Sequence, residues 1–311
     1  MAPTPSTSPP VAPVRSGRAR PGRERRRAAL LMAAPGLLHL AWWIGIPVLA
    51  TVVLAFTDYD ALAGTGSFVG LENFVTIFGD EVWTASIWHT VVYTVFTVPV
   101  AMAVAVVFAV LLNNELRARA WYRTAFFLPH ITATVAVAVV WAWIFEPRIG
   151  LLNAGLALFG VEGPAWLDDP DWALGSVILV GIWKGLGLKI LIYLAALQAI
   201  PAEVYEAARL DGASAVRQLW SITLPLLRPA TFFVFTVSVI EAFQVFEQVF
   251  VLTPQGGPAG STTVMAYEIY RSAFQDFRMG IACAQSLVLF VFLLVITFVS
   301  RRFTGRDEDV A

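Results

Sequence analysis

The sequence predicts an all-α membrane protein with six transmembrane helices and both the N and C termini in the cytoplasm. Three observations lead there. Hydrophobic residues make up 58% of the 311-residue chain and charged residues 14%, with a mean hydropathy of +0.71, whereas ordinary soluble domains are about 25% charged. Six runs, 29–56, 86–112, 122–145, 173–199, 230–252 and 279–300, reach the ~20 mostly apolar residues that a helix needs to cross a hydrocarbon core. The arginines fall on alternate connections. Arg15, Arg18, Arg20, Arg23, Arg25, Arg26 and Arg27 share one side with Arg117, Arg119 and Arg123, with Arg209, Arg217 and Arg228, and with Arg301, Arg302 and Arg306. The other side holds Arg148, Arg271 and Arg278 among acids such as Asp58, Asp60, Asp80, Glu81, Asp168, Asp169 and Asp171. Excess Lys and Arg mark the cytoplasmic side.

Residues 1–27 are rich in Pro, Ser and Arg, too polar to offset the entropy of ordering, and are expected to form a disordered basic cytoplasmic tail. The apolar run that follows exceeds the h-region of a secretory signal and no small-residue cleavage site stands out, so it is expected to remain as the first span. Residues 28–85 then hold this first helix and an outer cap, in which the turn-rich stretch GTGSFVGLENF, 64–74, orders the surface. Residues 86–303 form a five-helix core and 304–311 a short C-terminal tail. Pro47 and Pro99 lie within spans, where neighbouring helices can satisfy the freed carbonyls. No repeat of 20 to 50 residues is present.

Between the fourth and fifth spans the chain turns polar: EAARLDGASAVRQLWSITLPLL, 206–227. Pro201 suits a first helical turn, and Glu203 and Glu206 complement the helix dipole. The helix is expected to end at Asp211-Gly212, because glycine readily takes positive φ. A second short helix places Val216, Leu219, Trp220 and Thr223 on one apolar stripe and is expected to stop at Pro225. A helix resting on anionic lipid would carry basic residues on its polar face. Here Glu203, Glu206 and Asp211 face Arg209 alone in the first half, so docking to a protein fits better.

Within the spans, polar side chains concentrate in the fourth and fifth. On a continuous helix at ~100° per residue, Glu241, Gln244, Glu247 and Gln248 share one arc. With Tyr193 they are candidates for a solute path, since sugar hydroxyls both donate and accept hydrogen bonds. Polar residues in spans also bond helix to helix, and Lys184 and Lys189 are expected to act as an intramembrane charge clamp with Glu241. His39, His89 and His130 have no second ligand at metal-binding spacing, and no metal is expected. The lone cysteine, Cys283, reads as a small buried hydrophobe. No phosphate-binding G-x-x-x-x-G-K-[ST] segment, no Ser-His-Asp arrangement and no H-E-x-x-H helix occurs, so neither ATP hydrolysis nor an intramembrane enzyme activity is expected of this chain.

The polar loop contains Glu206-Ala207-Ala208, Gly212, Ile222 and Leu224-Pro225 at fixed spacing, which resembles the signature cytoplasmic loop of binding-protein-dependent ABC importer permeases. The stretches RTAFFLPHITATVAVAVVWAWIFEPRIGLLN (123–153), LIYLAALQAIP (191–201) and FQVFEQVFVLT (243–253) are similar to the sugar-importing, maltose-type branch. PQGGPAGSTT, 254–263, departs from it, since the family runs through more consecutive glycines there.

The resemblance implies a type I ABC importer permease fold in the bacterial cytoplasmic (inner) membrane, with loop 201–225 coupling to a separate ATPase through Glu206, Ala207, Ala208, Asp211, Gly212, Ile222, Leu224 and Pro225. It also implies the partners: a second permease subunit in a heterodimer, two ATPase subunits, an extracytoplasmic sugar-binding protein and the lipid bilayer, with no nucleic acid. ATP and Mg would sit on the ATPase and no cofactor on this chain. The alternative is a self-contained channel or ion-coupled secondary transporter, for which an inverted repeat or paired broken helices would speak.

Overall fold

The computed structural model describes residues 23–113 and 119–304, with side chains described over 30–113 and 121–300. Residues 1–22 of the tail expected at 1–27, the C-terminal residues from 305 and most of the arginine side chains behind the expected orientation lie outside these. The chain divides into two units, Met1–Ala50 and Thr51–Ala311.

The first unit holds α1 (Arg23–Leu40), which begins inside the segment assigned to the tail, a π turn, Ala41–Gly45, and the start of α2 (Ile46–Leu54), whose residues 51–54 belong to the second. The π turn has a local cause. Its closing bond runs from Ile46 N–H to Ala41 O, directly ahead of Pro47, whose ring would clash with a carbonyl one turn back and which donates no hydrogen bond.

The second unit begins with a cap. Asn73, 6% exposed, donates to Ala55 O at 2.9 Å and to Thr57 O at 2.8 Å. Asp60 Oδ1 accepts from Leu62 N and Ala63 N, and bridges join Thr57 to Phe68 and Asp60 to both Thr65 and Arg278. A short helix, α3 (Glu72–Gly79), leads to α4 (Glu81–Asn113), which passes Pro99 unbroken. α5 (Arg119–Ile131) and α6 (Thr134–Ile144) make a pair bent by 100°. Pro129 removes a donor near the bend, Thr132 Oγ1 donates back to Leu128 O, and Ala133 is extended. The third expected span is thus a bent pair.

α7 (Leu151–Ala157) precedes α8 (Pro170–Gln198), whose start is set by Asp169 accepting from Asp171 N, with Pro170 in the first turn. The loop end of the unit carries α9 (Ala202–Leu210), α10 (Ala215–Gln218), a π turn at Leu219–Thr223 and α11 (Leu224–Leu226). α12 (Arg228–Phe243), α13 (Glu247–Leu252), α14 (Met265–Phe274) and α15 (Met279–Thr304) complete the fold. Among the described residues four helices are long and apolar enough to cross a membrane, and six spans result if each of two bent pairs is one, α5 with α6 and Ala215–Leu226 with α12, the latter bent by 65°. Among the described residues there is no β-strand, only isolated bridges.

Two apolar cores stack along the bundle. Trp83, Tyr93, Val177, Val249, Met265 and Ala284 belong to one; Ala101, Ala105, Ala109, Ile190, Leu194 and Leu227 belong to the other. The alanines, each 0% exposed, recur every fourth residue of α4 and let α8 approach closely. Val95, Phe96, Trp143, Phe290, Val291 and Phe298 remain exposed around the girth, an apolar surface that lipid covers and water would not tolerate.

Close approach also explains Gly187. A Cβ there would lie 2.4 Å from Phe126 O, a backbone atom that cannot rotate away. Gly187→Ala is expected to separate α5 from α8 and to destabilise the bundle by about 1–3 kcal/mol, as overpacking does. Thermal unfolding in detergent followed by tryptophan fluorescence measures it, and an unchanged midpoint would contradict this contact.

Candidate functional site

A cavity of about 440 Å³ opens among α4, α5, α6, α8, α12 and α13. Glu241, Gln244, Glu247, Gln248, Lys184 and Lys189 all line it, so the structure brings together six of the residues singled out in the sequence. It does so by a route that corrects the expected continuous fifth span. α12 ends at Phe243, Gln244 and Phe246 leave helical geometry (φ −97°, ψ 12° and φ −137°, ψ −61°), and α13 starts afresh at Glu247. The four polar residues therefore share a cavity without sharing a helical stripe.

Tyr193 is placed elsewhere. It is 0% exposed in the core beside Ile190 and Leu194, away from the cavity lining. Tyr93, Thr97, His130, Thr134 and Ser238 line the cavity as well. Tyr93 and Thr97 lie one helical turn apart on α4, but Ser86, His89, Thr90 and Thr94 on the same span gave the sequence no way to single them out. The Tyr93 hydroxyl reaches Gln248 Oε1 at 3.1 Å, and its ring lies over Gly181, where a Cβ would meet the hydroxyl at 2.1 Å.

Of the two lysines, Lys189 makes the ion pair: its Nζ lies 3.7 Å from Glu241 Oε2 and 3.3 Å from Gly185 O. Lys184 has no ion pair among the described residues. His89 Nδ1 lies 3.0 Å from Thr263 O. Among the described residues no three His, Cys, Asp or Glu side chains gather as a metal site.

The ion pair joins the two helices that the loop at 201–227 connects. In that loop Gly212 has φ +77°, as expected, and Gly212 N donates to Arg209 O at 3.0 Å while Ala213 N donates to Ala208 O at 2.9 Å. Together these form a Schellman stop. Ser214 caps α10 by accepting from Arg217 N, and the Tyr205 and Thr223 hydroxyls meet at 3.1 Å across the two arms.

The helix ends at Leu226, one residue past the stop expected at Pro225. Leu224 N–H bonds to Leu219 O, and this wider turn accommodates the proline so that the helix runs to Leu226. Glu206, Ala207, Asp211 and Gly212 are exposed, Ala208 is buried, and Ile222, Leu224 and Pro225 are half-buried. Leu210, Val216 and Trp220 stand 89%, 67% and 67% exposed. Leu219 and Thr223 turn inward, so the apolar stripe is split between the outside and the bundle.

At the cap end, α14 holds Glu268, 2% exposed, whose Oε1 accepts from Arg271 at 2.7 Å while Oε2 has no hydrogen-bond partner among the described residues. This helix lies outside every candidate span. Burial raises the Glu268 carboxyl above its ordinary 4.5, and Arg271 opposes the shift. A carboxyl with a raised folded value contributes stability that is complete below 4.5 and lost as pH rises through the folded value. Thermal stability is therefore expected to fall as pH climbs above that point, and Glu268→Gln to flatten the slope. Equal slopes in the two proteins would contradict it.

A multi-pass helical protein with a polar cavity, and a pair of short helices linking two of the helices that line it, has the build of a membrane transport component. Residues 66–306 match the family described as binding-protein-dependent transport system inner membrane component, and the chain belongs to that family. It is thus a multi-pass permease component of the inner membrane.

It is 33% identical over 285 residues to the probable ABC transporter permease protein YurN of Bacillus subtilis (strain 168), covering 89% of this chain and 97% of that one. It is 32% identical over 286 residues to the sn-glycerol-3-phosphate transport system permease protein UgpA of Shigella flexneri, covering 91% and 96%. Its structure resembles a chain of a bacterial alginate ABC transporter, crystallised with an alginate pentasaccharide-bound periplasmic protein, with a TM-score of 0.80, 26% identity and coverage of 91% and 96%.

Proposed function

We propose that this chain forms half of the translocation path of an ATP-driven carbohydrate importer. The observation that carries the reading is the single geometry of cavity and loop: the polar cavity lies between α8 and α12, and the 201–225 loop joins those same two helices. A push on the loop is delivered to the cavity walls. Energy comes from two partner ATPase subunits that hold ATP and Mg, while this chain binds no cofactor or metal.

The loop's acidic first half and its exposed Leu210, Val216 and Trp220 suit a cleft on that partner. Glu206, Ala207, Ala208, Asp211, Gly212, Ile222, Leu224 and Pro225 shape the docking module. A second, different permease chain completes the path, and an extracytoplasmic binding protein delivers solute at the cap end. Glu241, Gln244, Glu247 and Gln248 supply donors and acceptors to hydroxyl groups, and Lys184 offers a cation to an acidic group such as those of glycerol 3-phosphate and alginate, which the relatives' names carry.

The test is co-purification in mild detergent with the candidate ATPase and second permease. ATP-driven uptake of glucose, sucrose, trehalose, cellobiose and glycerol 3-phosphate follows, into liposomes holding the complex and supplied with the binding protein. Uptake of one of the four sugars that needs ATP and falls sharply in Gln244→Ala, Glu247→Ala supports the reading; uptake of glycerol 3-phosphate alone keeps the importer and overturns its carbohydrate class. Solute movement by this chain alone, without ATPase, would replace it with a self-contained channel or ion-coupled transporter.

A further inference from the structure

Phe246 is both a wall of the cavity and the first of a connected series of aromatic rings. Its centroid lies 5.4 Å from Phe250 and 5.0 Å from Tyr270; Tyr270 lies 5.4 Å from Phe250 and 5.4 Å from Phe274. Tyr267 backs the series and is buried. Two local patterns build it: Phe246 and Phe250 are one turn apart at the start of α13, and Tyr267, Tyr270 and Phe274 fall on one face of α14. The opposite face of α14 buries Glu268 and Ser272 in the protein.

The rings are not a sealed core. Phe250 is 41% and Phe274 62% exposed, and Tyr270 is half-buried. Phe274 lies beside the cap, since Phe277 O accepts from Ala61 N and Arg278 bridges to Asp60. The series therefore leads from the cap end of the bundle into the cavity. Exposed rings also occur on the lipid-covered girth, Phe290 and Phe298 on α15 among them; this series differs in that its rings touch one another, Tyr270 brings a hydroxyl, and Phe246 at its end lines the cavity.

We propose that Phe274, Tyr270, Phe250 and Phe246 form a stacking track along which sugar rings pass between the cap end and the cavity. An aromatic face is electronegative and a sugar ring presents C–H groups with positive partial charge, so each ring holds a sugar without fixing its rotation. Neighbouring rings lie close enough for a sugar to touch one before leaving the last. Weak, repeated, non-directional contacts suit movement, and the hydrogen-bonding groups that fix orientation come only at the end, at Gln248 and its neighbours.

The inference rests on the carbohydrate reading above. The test uses the complete importer in liposomes, with uptake measured at subsaturating concentrations of whichever sugar of the panel the wild type carries. Tyr270→Leu and Phe274→Leu keep apolar bulk and remove the ring. Each is expected to slow uptake roughly tenfold, with partner association and ATP hydrolysis retained, while Tyr270→Phe and Phe274→Tyr stay near wild type.

Leucine variants as fast as wild type, or ring-preserving variants as slow as the leucine ones, would overturn the track and leave the importer reading standing. A wild-type complex that carries no sugar would overturn the carbohydrate reading and the track with it.

Discussion

Gly212→Val is expected to leave the chain inserted and folded, yet to release the ATPase from complexes purified in mild detergent and to reduce ATP-driven uptake at least tenfold. Gly212 sits at φ +77°, and both hydrogen bonds that end α9 depend on that conformation. A left-handed residue with a Cβ costs ~1–2 kcal/mol, and a β-branched one sits at the upper end. A Cβ at this position meets nothing within 4 Å, so the penalty is conformational and local. The turn relaxes and α9 and α10 lose their mutual angle, while the bundle is untouched.

Asparagine tolerates the left-handed region better, so Gly212→Asn should retain most of the association that valine loses. Equal loss in both variants would point to shape at the surface instead of backbone conformation. Full activity of the valine variant would remove the loop from the coupling role proposed for it.

The ion pair in the cavity wall is expected to respond asymmetrically. Lys189 is buried, its side chain 8% exposed, whereas the Glu241 side chain is 49% exposed to the cavity. Glu241→Ala leaves a buried ammonium with only Gly185 O at 3.3 Å and is expected to cost about 3 kcal/mol, the lower end for breaking a buried pair because the missing partner was half solvated. Lys189→Met removes the buried charge, keeps most of the volume, and leaves a carboxylate that the cavity can hydrate; it should cost no more than about 1 kcal/mol.

Unfolding midpoints of the two variants in the same detergent decide it, and equal losses would mean that the pair is not a buried clamp. The comparison also separates stability from transport. Lys189→Met should fold well enough to show whether linking α8 to α12 is needed for the loop to move the cavity walls.

Much of this was readable before any coordinates. The positions of the apolar runs, the two-helix loop and the positive φ of Gly212 all follow from local rules, because hydrophobic length, proline and glycine act on their own neighbourhood. The loop spacing Glu206-Ala207-Ala208 to Leu224-Pro225 carried the family.

Less local features were misread. The helical projection through residues 241–248 assumed an unbroken helix, and nothing in the run Phe243–Phe250 is a helix breaker. The helix does end within one residue of Pro225, but the π turn before it, like the one before Pro47, was not read from the sequence. The helix α14 and its buried Glu268 were not anticipated at all. The apolar moment of α14 looks like that of any short amphipathic helix, and only packing against the bundle selects which polar group is buried.

The sequence by itself determined that this chain crosses the membrane repeatedly, where its apolar runs fall, and that a structured polar module interrupts them. These are consequences of solvation and of backbone chemistry within a few residues. Tertiary structure alone decided which polar side chains meet. Lys189 and not Lys184 pairs with Glu241; Tyr193 is core and Tyr93 is cavity wall; rings from α13 and α14 join into one series. Each depends on how helices distant in sequence rotate and tilt against one another, and that is set by close contacts such as Gly187 on Phe126 and Gly181 on Tyr93, which no periodicity in a single segment encodes.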